Sequence, residues 1–319
     1  MTSPLTTHPM TRLVRGLVAS VAALVLPLSL SSFAVAGDEE SSPESWTIQV
    51  GSESPDQAIQ GMSFLPSNIY INTGDTITWE ANSAEIHTVT FLARGQKLQP
   101  FNPFNPKQLS RQGSSAYDGH SYYNSGIMAN VSNTGFKAVE DYALKFTHTG
   151  TFTYYCVVHG TAMKGTVHVR AAGTDYPYSQ DQYDHQTRKQ ERKIVRDGEE
   201  QWEAARDQAS NHQVIAGTDN ETAMLMRFVH HEIVVHVGDT VTFRNAGMGA
   251  PHTVTFGHEP ANIFAPVGNP KNFTGGNLSS GLMEPGTKFT VTFNKAGEFA
   301  YICALHDYMG MIGEVEVRS

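Results

Sequence analysis

Two short stretches of this 319-residue chain carry the same reactive side chains. The first runs Cys156-Val-Val-His159-Gly-Thr-Ala-Met163-Lys-Gly165, and the second Cys303-Ala-Leu-His306-Asp-Tyr-Met-Gly-Met311-Ile-Gly313. Each puts a thiolate, an imidazole and a thioether on one loop. Soft sulfur favours Cu(I), imidazole suits both oxidation states, and a His2Cys plane with a weak axial methionine describes a blue-copper site. Neither loop holds the second histidine. Each half of the chain supplies one inside an identical pentapeptide, His87-Thr-Val-Thr-Phe91 and His252-Thr-Val-Thr-Phe256. The two candidate ligand sets are therefore His87, Cys156, His159 and Met163, and His252, Cys303, His306 and Met311. Met309 competes with Met311, and the Met-x-Gly register shared with Met163 selects Met311.

Ligands drawn from separated segments need a scaffold that rearranges little between oxidation states, and the surrounding pattern supplies one. Phe152, Tyr154 and Cys156 alternate on one strand, as do Phe299, Tyr301 and Cys303, so each sulfur points to the same side as the aromatics. Upstream, Phe64, Ile69, Ile71, Gly74 and Asp75 match Phe228, Ile233, Val235, Gly238 and Asp239 at one constant offset. That self-similarity marks a duplicated domain. Many short alternating strands with Gly-containing turns between them indicate two-sheet β-sandwiches. After each His-Thr-Val-Thr-Phe strand comes a long Pro/Asn/Gly-rich excursion, about 92–135 and 257–285, and these are expected to pack beside the metal loops. The boundaries expected are a leader at 1–36, a polar start at 37–45, one sandwich at 46–171, a linker at 172–212 and a second sandwich at 213–319. The linker is rich in Gln, Asp, Glu, Lys and Arg. It reads as one or two helices opened by a capping box at Ser179-Gln-Asp-Gln182, with Gly198 as the place for a break.

Bulk properties narrow the function classes. Hydrophobic content of 39% with 10% aromatic residues is that of a folded chain, not a disordered one. Formal charge is −9, and residues 1–36 hold two arginines and no acid, so the remainder carries about −11. That balance argues against nucleic acid or an anionic membrane as partner. Arg12 and Arg15, the apolar run Leu17 to Leu30 and Ala34-Val-Ala36 read as a secretory signal cleaved near Ala36, giving a periplasmic or secreted protein with no stable membrane anchor. Two cysteines in an exported chain would ordinarily suggest a disulfide. Here one falls at the same place in each repeat, three positions before a histidine, which fits one metal per repeat. His230, His231 and His236 on one strand of the second half read as solvated histidines.

These motifs resemble the cupredoxins of the plastocyanin/azurin family. The second loop matches the plastocyanin spacing from Cys303 through Met311, and Pro251-His252 fits as well; the first loop has three residues between His159 and Met163, one fewer. The resemblance implies an all-β chain of two Greek-key sandwiches in tandem, a mononuclear type 1 copper in each, and one-electron transfer with redox protein partners such as an oxidase or reductase. It also implies that His159 and His306 are the exits toward those partners. Multicopper oxidases and nitrite reductases share the fold but place a histidine directly beside the cysteine. Here Tyr155 and Val157 flank Cys156, Ile302 and Ala304 flank Cys303, and no His-x-His pair occurs, so the chain reads as a carrier and not an enzyme. The alternative reading is envelope copper storage, delivery or tolerance without a redox partner.

Overall fold

Alternating apolar residues, broken by glycine-containing turns, produce two sets of strands in the computed structural model, which describes residues 42–319. The leader reading at 1–36 lies outside them. The first set is β1 (Ser45–Glu53), β2 (Ile59–Leu65), β3 (Asn68–Asn72), β4 (Thr76–Ala81), β5 (Thr90–Phe91), β6 (Ala116–Tyr117), β7 (Tyr123–Asn124), β8 (Asp141–Phe146), β9 (Gly150–Cys156) and β10 (Gly160–Arg170). A one-turn helix, α1 (Pro106–Leu109), interrupts the first excursion. After helix α2 (Gln180–Gln208) comes the second set: β11 (Gln213–Asp219), β12 (Ala223–Val229), β13 (Glu232–His236), β14 (Thr240–Arg244), β15 (Thr255–Phe256), β16 (Leu278–Ser279), β17 (Lys288–Thr292), β18 (Gly297–Ile302) and β19 (Ile312–Arg318).

Each set folds as a Greek-key sandwich. In the first, the sheet β3-β10-β9-β5-β7 packs on β2, β1, β4, β8 and β6; in the second, β13-β19-β18-β15-β16 packs on β17, β14, β11 and β12. Inward positions bury the aromatics that the alternation assigned to the core. Trp79, Phe91 and Tyr154 are fully buried in one, and Phe243, Phe256 and Tyr301 fill the equivalent space in the other. Trp79 and Tyr154 meet edge-on at 5.3 Å between ring centroids, an arrangement aromatic quadrupoles favour.

The sandwiches are not beads on a linker. Strand β12 pairs antiparallel with β2, Met224 opposite Gln60 and Leu225 opposite Ile59, so one nine-stranded sheet runs through both halves. Each strand thereby covers an edge the other would leave open. Helix α2 lies over this seam. Its Ile194 and Ala205 are buried with Ile59, Leu65, Ile215, Ala223 and Leu225, and Trp202 packs against the same cluster. Burying an Ile or Leu side chain contributes about 1.5–3 kcal/mol, which offsets the low apolar content of the helix. The Ser179/Gln182 capping box forms at its start. The break expected at Gly198 does not occur: the helix is continuous for 29 residues. Gly198 is there because the helix runs close over β2, where an added Cβ would lie 2.4 Å from Ile59 Cγ2. No helix among the described residues is long and apolar enough to cross a membrane.

Candidate metal centres

The cysteines sit at the ends of β9 and just beyond β18, and the first histidines sit just before β5 and β15, at one end of each sandwich. In the first half Cys156 Sγ lies 3.9 Å from His87 Nδ1 and 3.4 Å from His159 Nδ1. In the second, Cys303 Sγ lies 3.8 Å from His252 Nδ1 and 3.4 Å from His306 Nδ1, and the two Nδ1 atoms are 3.2 Å apart. Two atoms bonded at ~2.0–2.3 Å to one first-row ion stand roughly 3.3–4 Å apart, so each group fits a single ion held by two nitrogens and a sulfur. Both cysteines are buried and free, which leaves no disulfide between them. His230, His231 and His236 are exposed and belong to no such group among the described residues.

The neighbours of each ligand are duplicated too. Thr88 N–H points at Cys156 Sγ at 3.4 Å, and its hydroxyl accepts from Val157 N–H at 2.9 Å. Thr253 does the same for Cys303 and Ala304, at 3.3 and 2.7 Å. The threonine after each histidine thus holds both the sulfur and the start of the ligand loop, a role visible in sequence only as the repeated His-Thr. The excursions return to clamp the histidine strand. His87 exchanges both backbone hydrogen bonds with Met128, and His252 with Met283. Ser125 and Ser280 accept from Val89 and Val254 N–H at 2.8 and 2.9 Å. The repeated Ser-Gly-x-Met motif is therefore this clamp.

Room for each first histidine comes from a bulge. The pairing of β1 with β2 shifts between Val50 and Ser52, and that of β11 with β12 between Ala216 and Thr218. The residues at the bulges, Gly51 and Gly217, have φ of +76° and +71°, and an added Cβ would lie 2.6 Å from His87 Nε2 or 2.2 Å from His252 Nε2. Glycine is required on both counts. Ser83 Oγ completes the first site by contacting His87 Nε2 at 2.9 Å.

Electrostatics favour the metal-binding form of the sulfur. Burial works to raise the Cys156 thiol, but the charge of His159 and contacts with both histidines outweigh it and hold the thiol well below its usual range. The same balance, with His306 and His252, holds Cys303 down. A depressed thiol supplies the thiolate that ligates metal.

The methionines separate by neighbourhood. Met163 is buried in the core that contains Cys156, and Met311 in the core that contains Cys303. Met309 points elsewhere: it is buried among residues of the first sandwich. Its carbonyl accepts from Arg227, whose other arm donates to Asp56 of the first half. The loop carrying His306 is thus docked across the interface, helped by Tyr308, whose hydroxyl donates to Ala84 O at 3.3 Å.

That docking overturns one expectation. His159 and His306 do not present an edge to an outside partner; their side chains are each 9% exposed, and both Nε2 atoms turn toward Glu85, at 3.7 and 3.9 Å. Burial disfavours the Glu85 charge, but the contact with His159 and the charges of His306, His159 and His87 outweigh it and hold the carboxyl down to about 2. Glu85 was invisible as a site residue because its position falls outside the repeat: two residues before His252 stands Ala250.

The copper-binding protein family described as plastocyanin/azurin matches residues 52–170 and 213–318, and the chain belongs to that family. A chloroplast plastocyanin from Tetradesmus obliquus is 32% identical over 88 residues, which cover 27% of this chain and 54% of that protein. Plastocyanin B'/B'' from Nicotiana tabacum is 31% identical over 108 residues, covering 33% of this chain and 99% of that one. The chain spans just over half the length of the Tetradesmus protein and of the chloroplast plastocyanin from Fritillaria agrestis, 54% and 58%. Among solved structures, reduced auracyanin from Roseiflexus castenholzii is 19% identical with a TM-score of 0.25, over 34% of this chain and 95% of that one. An oxidised amicyanin mutant gives 19% and 0.25, over 40% and 82%.

Proposed function

We propose that this is an exported one-electron carrier with two type 1 copper sites. The observation that carries the reading is the pair of enclosed His2Cys groups, each with a thioether in the same core. His87, Cys156, His159 and Met163 would hold one copper, and His252, Cys303, His306 and Met311 the other. Copper in such a ligand set supplies reversible Cu(I)/Cu(II) cycling. The chain's own part is to hold the donors still. The Thr88 and Thr253 hydrogen bonds and the Ser-Gly-x-Met clamps tie both ends of each donor set to the surrounding strands. Such preorganisation reduces rearrangement when the charge at the site changes. Partners are redox proteins, approached from faces other than the outer histidine edges.

Purified mature protein should bind two coppers per chain, show intense visible absorption, and be reduced and reoxidised at both sites. Fewer than two coppers, or no sulfur-to-copper absorption, would refute the reading. A storage or delivery role draws support from the closure of both outer histidine edges. It predicts colourless Cu(I) protein that hands metal to an acceptor and is not cycled.

The axial assignment has its own test. Met311→Leu should shift the potential and absorption of one site, because an axial ligand tunes both. Met309→Leu should leave the spectrum unchanged and cost less than about 1.5 kcal/mol, the usual range for a volume-conserving swap in a packed interface. Electrochemistry and thermal unfolding of the two variants decide between them; a spectral change confined to Met309→Leu would reverse the assignment.

A further inference from the structure

Between the two sites lies one acidic side chain that the repeat does not explain. Glu85 is 5% exposed. It is on the first sandwich, yet it faces a histidine from each half: Oε1 is 3.7 Å from His159 Nε2 and Oε2 is 3.9 Å from His306 Nε2. Oε2 has no hydrogen-bond partner among the described residues, although it is buried. Its backbone is fixed from both sides. Gln60 accepts from Glu85 N–H at 3.2 Å, and Tyr308 of the second half grips the preceding carbonyl. Both histidines turn Nδ1 toward a cysteine sulfur, at 3.4 Å in each case, so their Nε2 atoms are the only ring positions left for an outer partner.

A metal-bound imidazole gains orientation and basicity when its second nitrogen donates to a carboxylate, and losing that partner commonly weakens metal binding 10–100-fold. Ordinarily each histidine has its own. We infer that Glu85 is a positioning residue shared by both centres: one carboxylate fixes the outer edges of His159 and His306 together, so the two sites are built as a unit and each responds to the other. This rests on the two-site reading above. It explains why the acid occurs in only one repeat, since a second at Ala250 would place two carboxylates against the same pair of rings. It also gives the docked ligand loop a purpose beyond covering surface.

The test uses chains with one working site, probed with Co(II). Cys156→Ser and Cys303→Ser proteins should each bind one Co(II) with sulfur-to-cobalt absorption; if they do not, the two-site reading itself fails. Glu85→Gln is then added to each. Because Glu85 belongs to the first half, the decisive case is Cys156→Ser with Glu85→Gln, where only the second-half site remains. Co(II) affinity there should fall about tenfold or more and its absorption should shift. An affinity and spectrum equal to those of Cys156→Ser alone would overturn the proposal. A second measurement keeps Glu85 in place. Filling the second-half site of the Cys156→Ser chain with Zn(II) should move the ring-nitrogen NMR signals of His159, and Glu85→Gln should abolish that response. Unmoved His159 signals, or a response that survives Glu85→Gln, would equally overturn it.

Discussion

Replacing Cys303 by serine should lower the copper content from two per chain to one and remove roughly half of the sulfur-to-copper absorption. The sulfur is the shared member of its group, 3.8 Å from His252 Nδ1 and 3.4 Å from His306 Nδ1, and it receives the Thr253 N–H. A serine hydroxyl is a hard, weakly acidic donor that stays protonated in this buried position, so it cannot replace a thiol whose ionised form the neighbouring His306 and His252 favour. The first-half donors His87, Cys156 and His159 include nothing from the second loop, so that site should keep its copper and a sulfur-to-copper band of its own. Cys156→Ser should give the complementary result, and the double variant should be colourless. The checks are metal analysis and the visible spectrum of each purified variant. An unchanged spectrum with two coppers retained would remove Cys303 from the site.

The two His2Cys groups were legible because their parts are local and written twice. Cysteine, histidine and methionine fall within nine residues or fewer, and the remaining histidine opens an identical pentapeptide in both halves. Duplication also exposed the sandwich, since Gly74-Asp75 and Gly238-Asp239 punctuate the same alternation. What stayed hidden depends on how one half meets the other. The β2–β12 pairing leaves no mark in sequence, because an apolar edge strand does not state which edge it will join. Gly198 looked like a helix break and proved to be a close contact; propensity gives the cost of a glycine, not what its missing side chain admits. The Met-x-Gly register selected Met311 over Met309, but that Met309 is buried against the other half could not be read from it. Glu85 shows the limit most clearly. Repeat matching finds what the halves share, while a residue serving both at once is needed in only one.

Asp75→Ala should be among the most destabilising single substitutions in the chain, and Asp239→Ala, at the same place in the second repeat, should be nearly silent. The two aspartates end the same Gly-Asp turn, and sequence gives no reason to separate them. Their surroundings do. Asp75 is 1% exposed and accepts from Glu44 N–H at 2.8 Å, Trp46 Nε1–H at 3.0 Å, Asn72 N–H at 2.8 Å and the Tyr176 hydroxyl at 2.9 Å. One carboxylate thereby ties the start of β1, the β3–β4 turn and the segment leading to α2. Asp239 accepts from His236 N–H at 2.8 Å, and its side chain is 34% exposed. Hydrogen bonds to a charged group are worth about 1.5–3 kcal/mol each, and stranding buried donors adds the cost of leaving them dry. Those contributions are not additive, so a loss of about 3–5 kcal/mol is expected for Asp75→Ala, against less than about 1 kcal/mol for the partly exposed Asp239, whose one bond to His236 N–H water can replace. At roughly 2 °C per kcal/mol for a chain of this size, the metal-free protein should lose about 6–10 °C of thermal midpoint in the first case and about 2 °C or less in the second. Scanning calorimetry on the two variants measures this. Equal shifts would mean that the Asp75 network is not what anchors the first sandwich to the helix that spans the seam.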